Sequence, residues 1–483
     1  MAGGAWSLTE AKVRPGFYVN FEAAALASIT PGARGILAMP VKANWGPKKQ
    51  VVEITSEKEL IDTYGIDVAA NLTAYTCIRL ALLGGCKTIL GYRLVDGSEA
   101  KGTITLKDTT VAPVDVIDLI TRYESARAFK ATVRANPVDA NKQDIVLYEG
   151  TQLLYTFTFT KGAGIGVDNA VAAVNNDSGN KWIDAVKKAA GNGILAAISS
   201  QPLTGGNAGA TSITNTHYID AMTAFEARQF NAFVLDGATD SSLQTSVKAW
   251  VERLRGEGTK IVSYVGGTAA DDADIATANT RSAGFNYEGV LNVGTGANLD
   301  GTNLSSAQVA CWVAGKACGQ QMTESLTYAD SPFDDVIPRL THTQIVSALQ
   351  SGTIVLVHDG EKVKVEKGID TLTSLRTGQN NQWKKAKAIR IMDAIDTDLQ
   401  KAGRDNYIGK VINDEDGQAA VIVAIKKYFE TMNKGRLIKD DFDVYIDPDL
   451  QPLAGADQFY FKWYCYIVDS MEQIFGTGII MSN

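Results

Sequence analysis

The stretch NAFVLDGATDSSLQTSVKAWVERLRGEGTKIVSYVGG, residues 231–267, indicates the fold of this chain. Asn231 to Leu235 is a short apolar run next to turn residues, as expected for a buried strand. Ser241 to Arg255 has its large apolar residues at helical spacing, which predicts an amphipathic helix. Lys260 to Val265 is a second apolar strand. Two strands joined by a crossover helix form a βαβ unit, in which the strands run parallel.

The same alternation continues on both sides of this unit. Downstream, Gly289 to Val293 reads as a strand and Ser305 to Gly319 as an apolar helix. Upstream, Gly35 to Val41 and Thr88 to Arg93 read as strands on either side of a helix at Ala69 to Leu83. A run of such units predicts a mainly parallel, doubly wound α/β sheet.

Residues 97–180 have a different character and predict a small inserted β-sandwich. Short strands follow one another with turn residues between them, which is typical of a sandwich or barrel. The predicted strands are Gly102 to Leu106, Phe129 to Val133, Asp144 to Tyr148 and Leu153 to Phe159. The α/β pattern resumes afterwards, and we predict a helix at Trp182 to Ala190.

The residues from 353 to 468 predict an α+β C-terminal domain. A hairpin is expected at Thr353 to Glu366 because Asp359-Gly360 separates two alternating runs. Two helices, Gln382 to Ala402 and Gly417 to Asn433, come before a strand at Asp443 to Ile446.

The chain ends in an apolar segment with strand-forming composition, QFYFKWYCYIVDSMEQIFGTGIIMSN, residues 458–483. One interpretation is a last strand paired inside its own domain, and the other is a strand donated to a neighbouring copy. Phe459 to Val468 suits the first, and the apolar residues beyond Asp469-Ser470 suit the second. The expected anchors of this C-terminal arm are Met471, Ile474, Phe475, Ile479 and Ile480.

An N-terminal arm is the counterpart of this segment. A strand pattern follows Pro15-Gly16, and the opening residues are too few to form a core of their own. They must lie on another surface, of this subunit or the next. The expected contact residues are Phe17, Tyr18, Val19 and Phe21.

Composition narrows the classes of function. The 483 residues carry a formal net charge of −8, so there is no basic excess to hold a nucleic-acid backbone. The five cysteines form no C-x-x-C pair, which fits reduced thiols made in a cytoplasm. We expect neither a signal peptide nor membrane insertion, because no apolar run reaches about 18 residues.

Motifs for catalysis or cofactor binding are largely missing from the sequence. The loop Gly294-Thr295-Gly296 resembles a phosphate loop, but its glycine spacing differs from G-x-G-x-x-G and Asp300 would repel a phosphate. A structural turn is the better interpretation. The three histidines, His217, His342 and His358, lie in no nucleophile or metal motif. We expect no catalytic residue, no cofactor and no metal. The alternative function is a soluble α/β enzyme or nucleotide-binding protein with a site near Gly294–Gly296.

Three lysines, Lys384, Lys385 and Lys387, form a basic edge on the predicted helix that begins near Trp383. Such an edge is usually a solvated face, and the alternative is a contact with an acidic partner protein.

Several segments together resemble the sheath proteins of contractile phage tails and phage-tail-like bacteriocins, above all those of Gram-positive phages and prophages. The resemblance lies in the order of these segments over most of the chain. They are Leu83-Gly84-Gly85 before Tyr92-Arg93, Ala224 to Glu226 before Phe233 to Gly237, Tyr287 to Gly294, Val313 to Gly319 before Ser325 to Tyr328, Tyr407 to Asn413, and Asp469 to Glu472.

This resemblance implies a multidomain α/β fold: a subtilisin-like doubly wound domain with the inserted β-sandwich, the α+β C-terminal domain facing a tail tube, and extended arms at both ends. The subtilisin likeness concerns the fold and brings no protease activity. The implied domains are 1–30 (N-terminal arm), 31–96 (first α/β segment), 97–180 (sandwich), 181–352 (subtilisin-like domain), 353–468 (C-terminal domain) and 469–483 (C-terminal arm).

The implied function is mechanical. Sheath subunits form hexameric rings stacked helically around a tube, and contraction drives the tube through a cell envelope. The implied partners are other copies of the chain, the tail tube protein, and baseplate and tail terminator proteins. The implied location is a virion tail or a phage-tail-like particle, assembled in the bacterial host cytoplasm. The lysine edge would then be a tube contact.

Overall fold

The computed structural model describes residues 3–4, 17–18, 29, 34–69 and 71–481. The chain divides into two compact units. The large unit contains residues 34–321 and 325–389. The C-terminal unit contains residues 322–324, residues 390–481 and the described residues that precede position 34.

Two short strands near the start of the chain, β1 (Gly3–Gly4) and β2 (Phe17–Tyr18), pair in parallel. Val19 and Phe21, which we assign to the N-terminal arm, lie outside the described residues.

Residues 34–94 form the first part of the central sheet. Their elements are β3 (Ile36–Val41), β4 (Val51–Ile54), α1 (Glu57–Tyr64), α2 (Ala74–Leu83) and β5 (Thr88–Arg93). Helix α2 begins five residues later than the sequence pattern predicts.

The inserted domain is a sandwich of two antiparallel sheets, with strand orders β10-β9-β8-β12 and β11-β7-β6. Its elements are β6 (Thr103–Lys107), β7 (Asp115–Thr121), β8 (Phe129–Ala135), β9 (Lys142–Glu149), β10 (Gln152–Thr160), α3 (Gly166–Asn175), β11 (Ile183–Lys187) and β12 (Ile198–Pro202). Phe129, Ile145 and Phe157 are among the buried side chains of its core.

The predicted helix at Trp182 to Ala190 is wrong, because these residues contain strand β11. Ile183 and Ala185 are buried and alternate with more exposed residues, so the local period is two. Strand β11 pairs with β7, and β12 pairs with β8. The two sheets therefore continue beyond residue 180, the boundary that we assigned from the sequence.

The rest of the large unit alternates helices and strands. Its elements are α4 (Asn215–Glu226), β13 (Ala232–Val234), α5 (Ser241–Gly256), β14 (Val262–Val265), α6 (Ile275–Phe285), β15 (Val290–Val293), β16 (Gly296–Leu299), β17 (Thr302–Leu304), α7 (Ser306–Gly319), β18 (Asp335–Ile337), α8 (His342–Gln350), β19 (Thr353–Ile354), β20 (Leu356–His358) and β21 (Val363–Val365), with short 3₁₀ turns at Asp271–Ala273 and Asn381–Lys384.

The central sheet has seven strands in the order β19-β15-β14-β13-β3-β5-β4. Neighbouring strands are parallel except at one edge, where β4 runs antiparallel to β5. A mixed α/β, multidomain chain with a mainly parallel central sheet is therefore confirmed. The predicted hairpin near Asp359 is also present as β20 and β21, although β19 joins the central sheet instead.

The C-terminal unit combines helices with a two-stranded sheet. Its elements are α9 (Ala386–Ala402), which begins in the large unit, a π turn at Gly403–Tyr407, α10 (Glu415–Lys434), β22 (Ile438–Ile446), a 3₁₀ turn at Gln451–Leu453 and β23 (Phe461–Ile467). The core of this unit contains Ile391, Tyr428 and Phe429. Among the described helices, none is both long enough and apolar enough to span a bilayer.

Candidate functional site

The carboxyl ends of β3 and β13 meet where the strand order changes direction, a position where α/β sheets commonly bind ligands. The buried carboxylate of Asp236 lies there. It accepts hydrogen bonds from Tyr218 Oη at 2.7 Å and Thr73 Oγ1 at 2.5 Å, and Lys42 Nζ lies 3.7 Å away. Burial and the Asp236 carboxylate raise the pKa of Tyr218 far above its ordinary value, so it stays a neutral donor. Both Asp236 oxygens are thus occupied by partners from within the fold.

The loop at Gly294–Gly296 is a structural turn. The Gly294 N–H donates to the Ile354 carbonyl at 2.8 Å, and Thr295 Oγ1 accepts from the Leu356 N–H at 2.9 Å. Gly296 then begins strand β16, and a Cβ atom at this position would lie 2.5 Å from the Leu304 carbonyl oxygen. A hairpin, and not a helix, follows β15, so no helix N-terminus is aimed at this strand end. These contacts do not favour the alternative of a nucleotide site.

The three histidines belong to local turns and caps. His217 Nδ1 accepts a hydrogen bond from the Thr214 N–H at 2.9 Å, which closes the capping box of α4. His358 Nδ1 accepts from the Gly360 N–H at 3.0 Å in the hairpin turn, and His342 is the first residue of α8. Within the described part of the chain, no group of three His, Cys, Asp or Glu side chains could hold a metal ion.

The expectation of one solvated lysine edge is wrong for Lys387. This side chain is buried, because Lys387 is the second residue of α9 and lies on its packed side. Lys384 lies in the 3₁₀ turn that precedes α9, and its Nζ donates to the Thr373 carbonyl at 2.8 Å. Lys384 and Lys387 are therefore in different local settings.

The sheet formed by β22 and β23 is the structural base of the C-terminal arm. The strands are antiparallel, with Val444 opposite Trp463 and Phe442 opposite Cys465. Phe429 of α10 contacts Phe442 and Trp463 edge to face, at ring-centroid distances of 5.8 and 5.3 Å. The prediction that Phe459 to Val468 completes the subunit's own sheet is confirmed for β23. Among the described residues each strand has a single strand neighbour, so each has one unpaired edge.

Beyond this sheet, residues 468–481 form neither helix nor strand. Five apolar side chains of this segment are between 81% and 99% exposed: Met471, Ile474, Phe475, Ile479 and Ile480. These are the residues that the sequence assigns to the C-terminal arm. Burial of such side chains is normally favourable, so a surface that covers them is expected.

An apolar groove of about 420 Å³ lies in the same unit, between the π turn and α10. Ile408, Val411, Val421 and Phe459 are among the side chains that line it. Sequence reasoning missed this groove. The signal was present in Tyr407 to Asn413, where three large aliphatic residues stand in a Gly-containing loop and not in a helix or strand.

Four protein-family models match successive parts of the chain. They describe the domain III N-terminal region of tail sheath protein Gp18 (residues 34–94), the β-sandwich domain of phage tail sheath proteins (95–208), their central domain (211–371) and their C-terminal domain (378–480). Together these models cover nearly all of the described residues from position 34 onward.

Individual relatives agree with the family models. The phage-like element PBSX protein XkdK of Bacillus subtilis is 27% identical over 96% of this chain and 99% of its own length. A sheath tail protein from Desulfitobacterium hafniense has a crystal structure with a TM-score of 0.70 and 26% identity, over 94% of this chain and 100% of that chain. The helical sheath of the anti-feeding prophage in its contracted state shares the fold, with a TM-score of 0.56 and 12% identity over 97% and 99% of the two chains.

Proposed function

The chain belongs to the phage tail sheath protein family, and from this premise we propose that it polymerises as stacked hexameric rings around a tail tube and contracts to drive that tube through a cell envelope. Its role is that of a structural subunit without catalytic activity. The anti-feeding prophage sheath, which has the same fold, is described as helical and contracted, and this supports both polymerisation and contraction.

The observation that carries the proposal is the exposed apolar arm at Met471–Ile480. Burying one large apolar side chain stabilises a complex by about 2 kcal/mol, so covering its five anchors contributes roughly 10 kcal/mol before the cost of ordering the segment. A neighbouring copy is the proposed cover. The unpaired edges of β22 and β23 are where strands from neighbouring arms, including Phe17 and Tyr18, would add by β-augmentation.

Further parts of the proposal follow from the family. The partners are other copies of the chain, the tail tube protein, and baseplate and tail terminator proteins, and the location is a virion tail or a phage-tail-like particle. We assign the tube contact to Lys384 and Lys385. The central sheet is proposed to be subtilisin-like, and the domain boundaries at residues 30, 96 and 468 remain part of the proposal. The boundary at 352 is dropped, because β19 (Thr353–Ile354) pairs with β15 in the central sheet.

The arm is tested by its removal. A chain that ends at Asp469 should fold but no longer polymerise, because the five anchors are lost while β22 and β23 remain paired. Sedimentation and negative-stain microscopy of concentrated protein measure this directly. Tubes that form normally without the arm would contradict the proposal.

A double substitution tests the apolar contacts of the arm without changing the length of the chain. Phe475→Asp with Ile480→Asp should reduce polymer formation at least tenfold, because a charge cannot enter an apolar interface without a partner. The matched control is Val111→Asp with Val138→Asp, two equally exposed apolar residues of the sandwich. The control should assemble like the unmodified chain. Equal loss in both variants would indicate a general effect of charge instead.

A further inference from the structure

Helices α2 and α7 approach each other at the backbone. A Cβ atom on Gly315 would lie 2.2 Å from the Ala81 carbonyl oxygen, and one on Gly319 would lie 2.4 Å from the Gly85 carbonyl oxygen. The residue numbers at the contact increase by four on both segments, from Ala81 to Gly85 and from Gly315 to Gly319. The two segments therefore run parallel at this contact. Side chains next to these positions on the two segments are therefore held close to each other.

Two pairs of cysteine side chains lie along this contact. Cys77 and Cys311 lie one helical turn before the Ala81–Gly315 contact, and their side chains interact. Cys86 and Cys318 lie next to the Gly85–Gly319 contact. Cys86 Sγ donates to the Gly35 carbonyl at 3.5 Å, and a Cβ atom on Gly35 would lie 2.1 Å from the Cys318 carbonyl oxygen. All four are thiols in this structure. A disulfide requires Cα atoms about 4.4 to 6.8 Å apart, and the backbone contact between Gly85 and Gly319 brings their neighbours Cys86 and Cys318 close together.

The two pairs differ in access and in acidity. Cys77 and Cys311 are fully buried, whereas Cys318 is partly exposed and lies against the nearly buried Cys86. The hydrogen bond to Cys311, together with burial, raises the pKa of Cys77. In the other pair the interaction with Cys318 lowers the pKa of the Cys86 thiol, although burial opposes this shift. Thiolate character and access both favour oxidation of the second pair.

We propose that Cys86 and Cys318 are an oxidation site, at which hydrogen peroxide converts two thiols into a disulfide that joins the segment after α2 to α7. The Cys86 thiolate attacks one oxygen of the peroxide, which forms a sulfenic acid and releases hydroxide. The sulfur of Cys318 then attacks Cys86 Sγ, so that the S–S bond forms while the S–OH bond breaks. The leaving hydroxide takes the Cys318 proton. The two thiols together lose two electrons and two protons, and the peroxide becomes two water molecules.

The test uses the reduced full-length chain, treated with a small excess of hydrogen peroxide and then denatured for thiol titration and non-reducing peptide mapping. Of the five thiols per chain, three should remain. The mapping should give one cross-linked peptide that contains Cys86 and Cys318, and dithiothreitol should restore all five thiols. The oxidised chain should also unfold at a higher temperature, because the bond closes a loop of more than 200 residues.

Single substitutions of the two pairs provide the comparison. Cys86→Ser and Cys318→Ser should abolish the cross-link, while Cys77→Ser and Cys311→Ser should leave it unchanged. A cross-link between Cys77 and Cys311, persistence of all five thiols, or conversion of Cys86 to a sulfinic acid without a cross-link would each overturn the proposal. Peptide mapping of the unmodified chain decides the question even if a serine variant fails to fold.

Discussion

At the scale of single residues, the buried ionisable groups determine how this fold depends on pH. The side chain of Asp370 is buried. One of its oxygens accepts from the Leu372 N–H at 2.9 Å, and the other has no hydrogen-bond partner. Burial raises the pKa of Asp370 well above its ordinary value. Between the unfolded and folded pKa values, the folded chain holds a proton that the unfolded chain has released.

Stability should therefore fall as pH rises through this window, by up to about 1.4 kcal/mol per pH unit. Asp370→Asn removes the titration, so its free energy of unfolding relative to the unmodified chain should increase as the pH rises above the unfolded pKa of about 3.9. Urea unfolding at several pH values measures the difference. Asp335→Asn is the control, because Arg339 lowers the pKa of Asp335 and its contribution is constant in this range. A difference that stays constant for Asp370→Asn would contradict the raised pKa.

Residue-scale features were also the hardest to predict. Arg93 is fully buried and donates to the carbonyls of Gly46, Glu124 and Ala208, at 2.6, 2.8 and 3.0 Å. In the sequence it is an arginine at the end of an apolar strand, which usually means an exposed strand end. Its three acceptors come from distant parts of the chain, and no local pattern indicates that they meet.

At the scale of elements, packing between helices depends on a few small residues. Gly315 of α7 is buried and its Cα faces the backbone of Ala81. No rotamer change can relieve a clash with a carbonyl group, so the space at this position is fixed.

Gly315→Ala should lower the free energy of unfolding by about 3 kcal/mol through overpacking. Gly284→Ala is the matched control, because Gly284 also lies in a helix but a Cβ atom there would meet nothing within 4 Å. Helix propensity predicts that this control gains up to about 1 kcal/mol. Thermal or urea unfolding compares the two, and similar effects of both substitutions would show that α2 can move away.

Elements with strong periodicity were predicted well, and short ones were not. Helix α5 and the strands around it follow from their apolar spacing, which a local window contains. The short strand β11 was assigned as helix because its pairing partner, β7, lies more than 60 residues away in the chain. The apolar segment at Met471–Ile480 was identified because it is rich in large apolar and strand-forming residues, and its role as an arm stays a prediction. The groove at Ile408 was missed because it exists only after α10 packs beside the π turn.

At the scale of the whole molecule, the chain enters and leaves the sandwich at one place. The Asp96 N–H donates to the Gly209 carbonyl at 2.8 Å, so the chain enters and leaves the sandwich through adjacent residues. Trp45 of the first segment is buried against Tyr123 and Phe129 of the sandwich, with ring centroids 5.2 and 5.5 Å away.

Replacing residues 97–208 with a short linker should leave the central sheet folded and polymer formation intact. Trp45→Ser belongs in the same variant, because the deletion would otherwise expose this ring. Circular dichroism reports the fold and negative-stain microscopy the polymer. The full-length Trp45→Ser variant controls for the substitution itself. A folded deletion variant that no longer assembles would place lattice contacts on the sandwich.

The backbone contact between α2 and α7 has a mechanical consequence. Where long side chains separate two helices, rotamers change under load and the joint yields by fractions of an ångström. Here carbonyl groups of one segment lie directly against glycines of the other, so no side-chain rotation can change the distance between the two segments. A pulling force applied to α2 is therefore passed to α7 with little loss, and deformation must occur at less tightly packed parts of the chain.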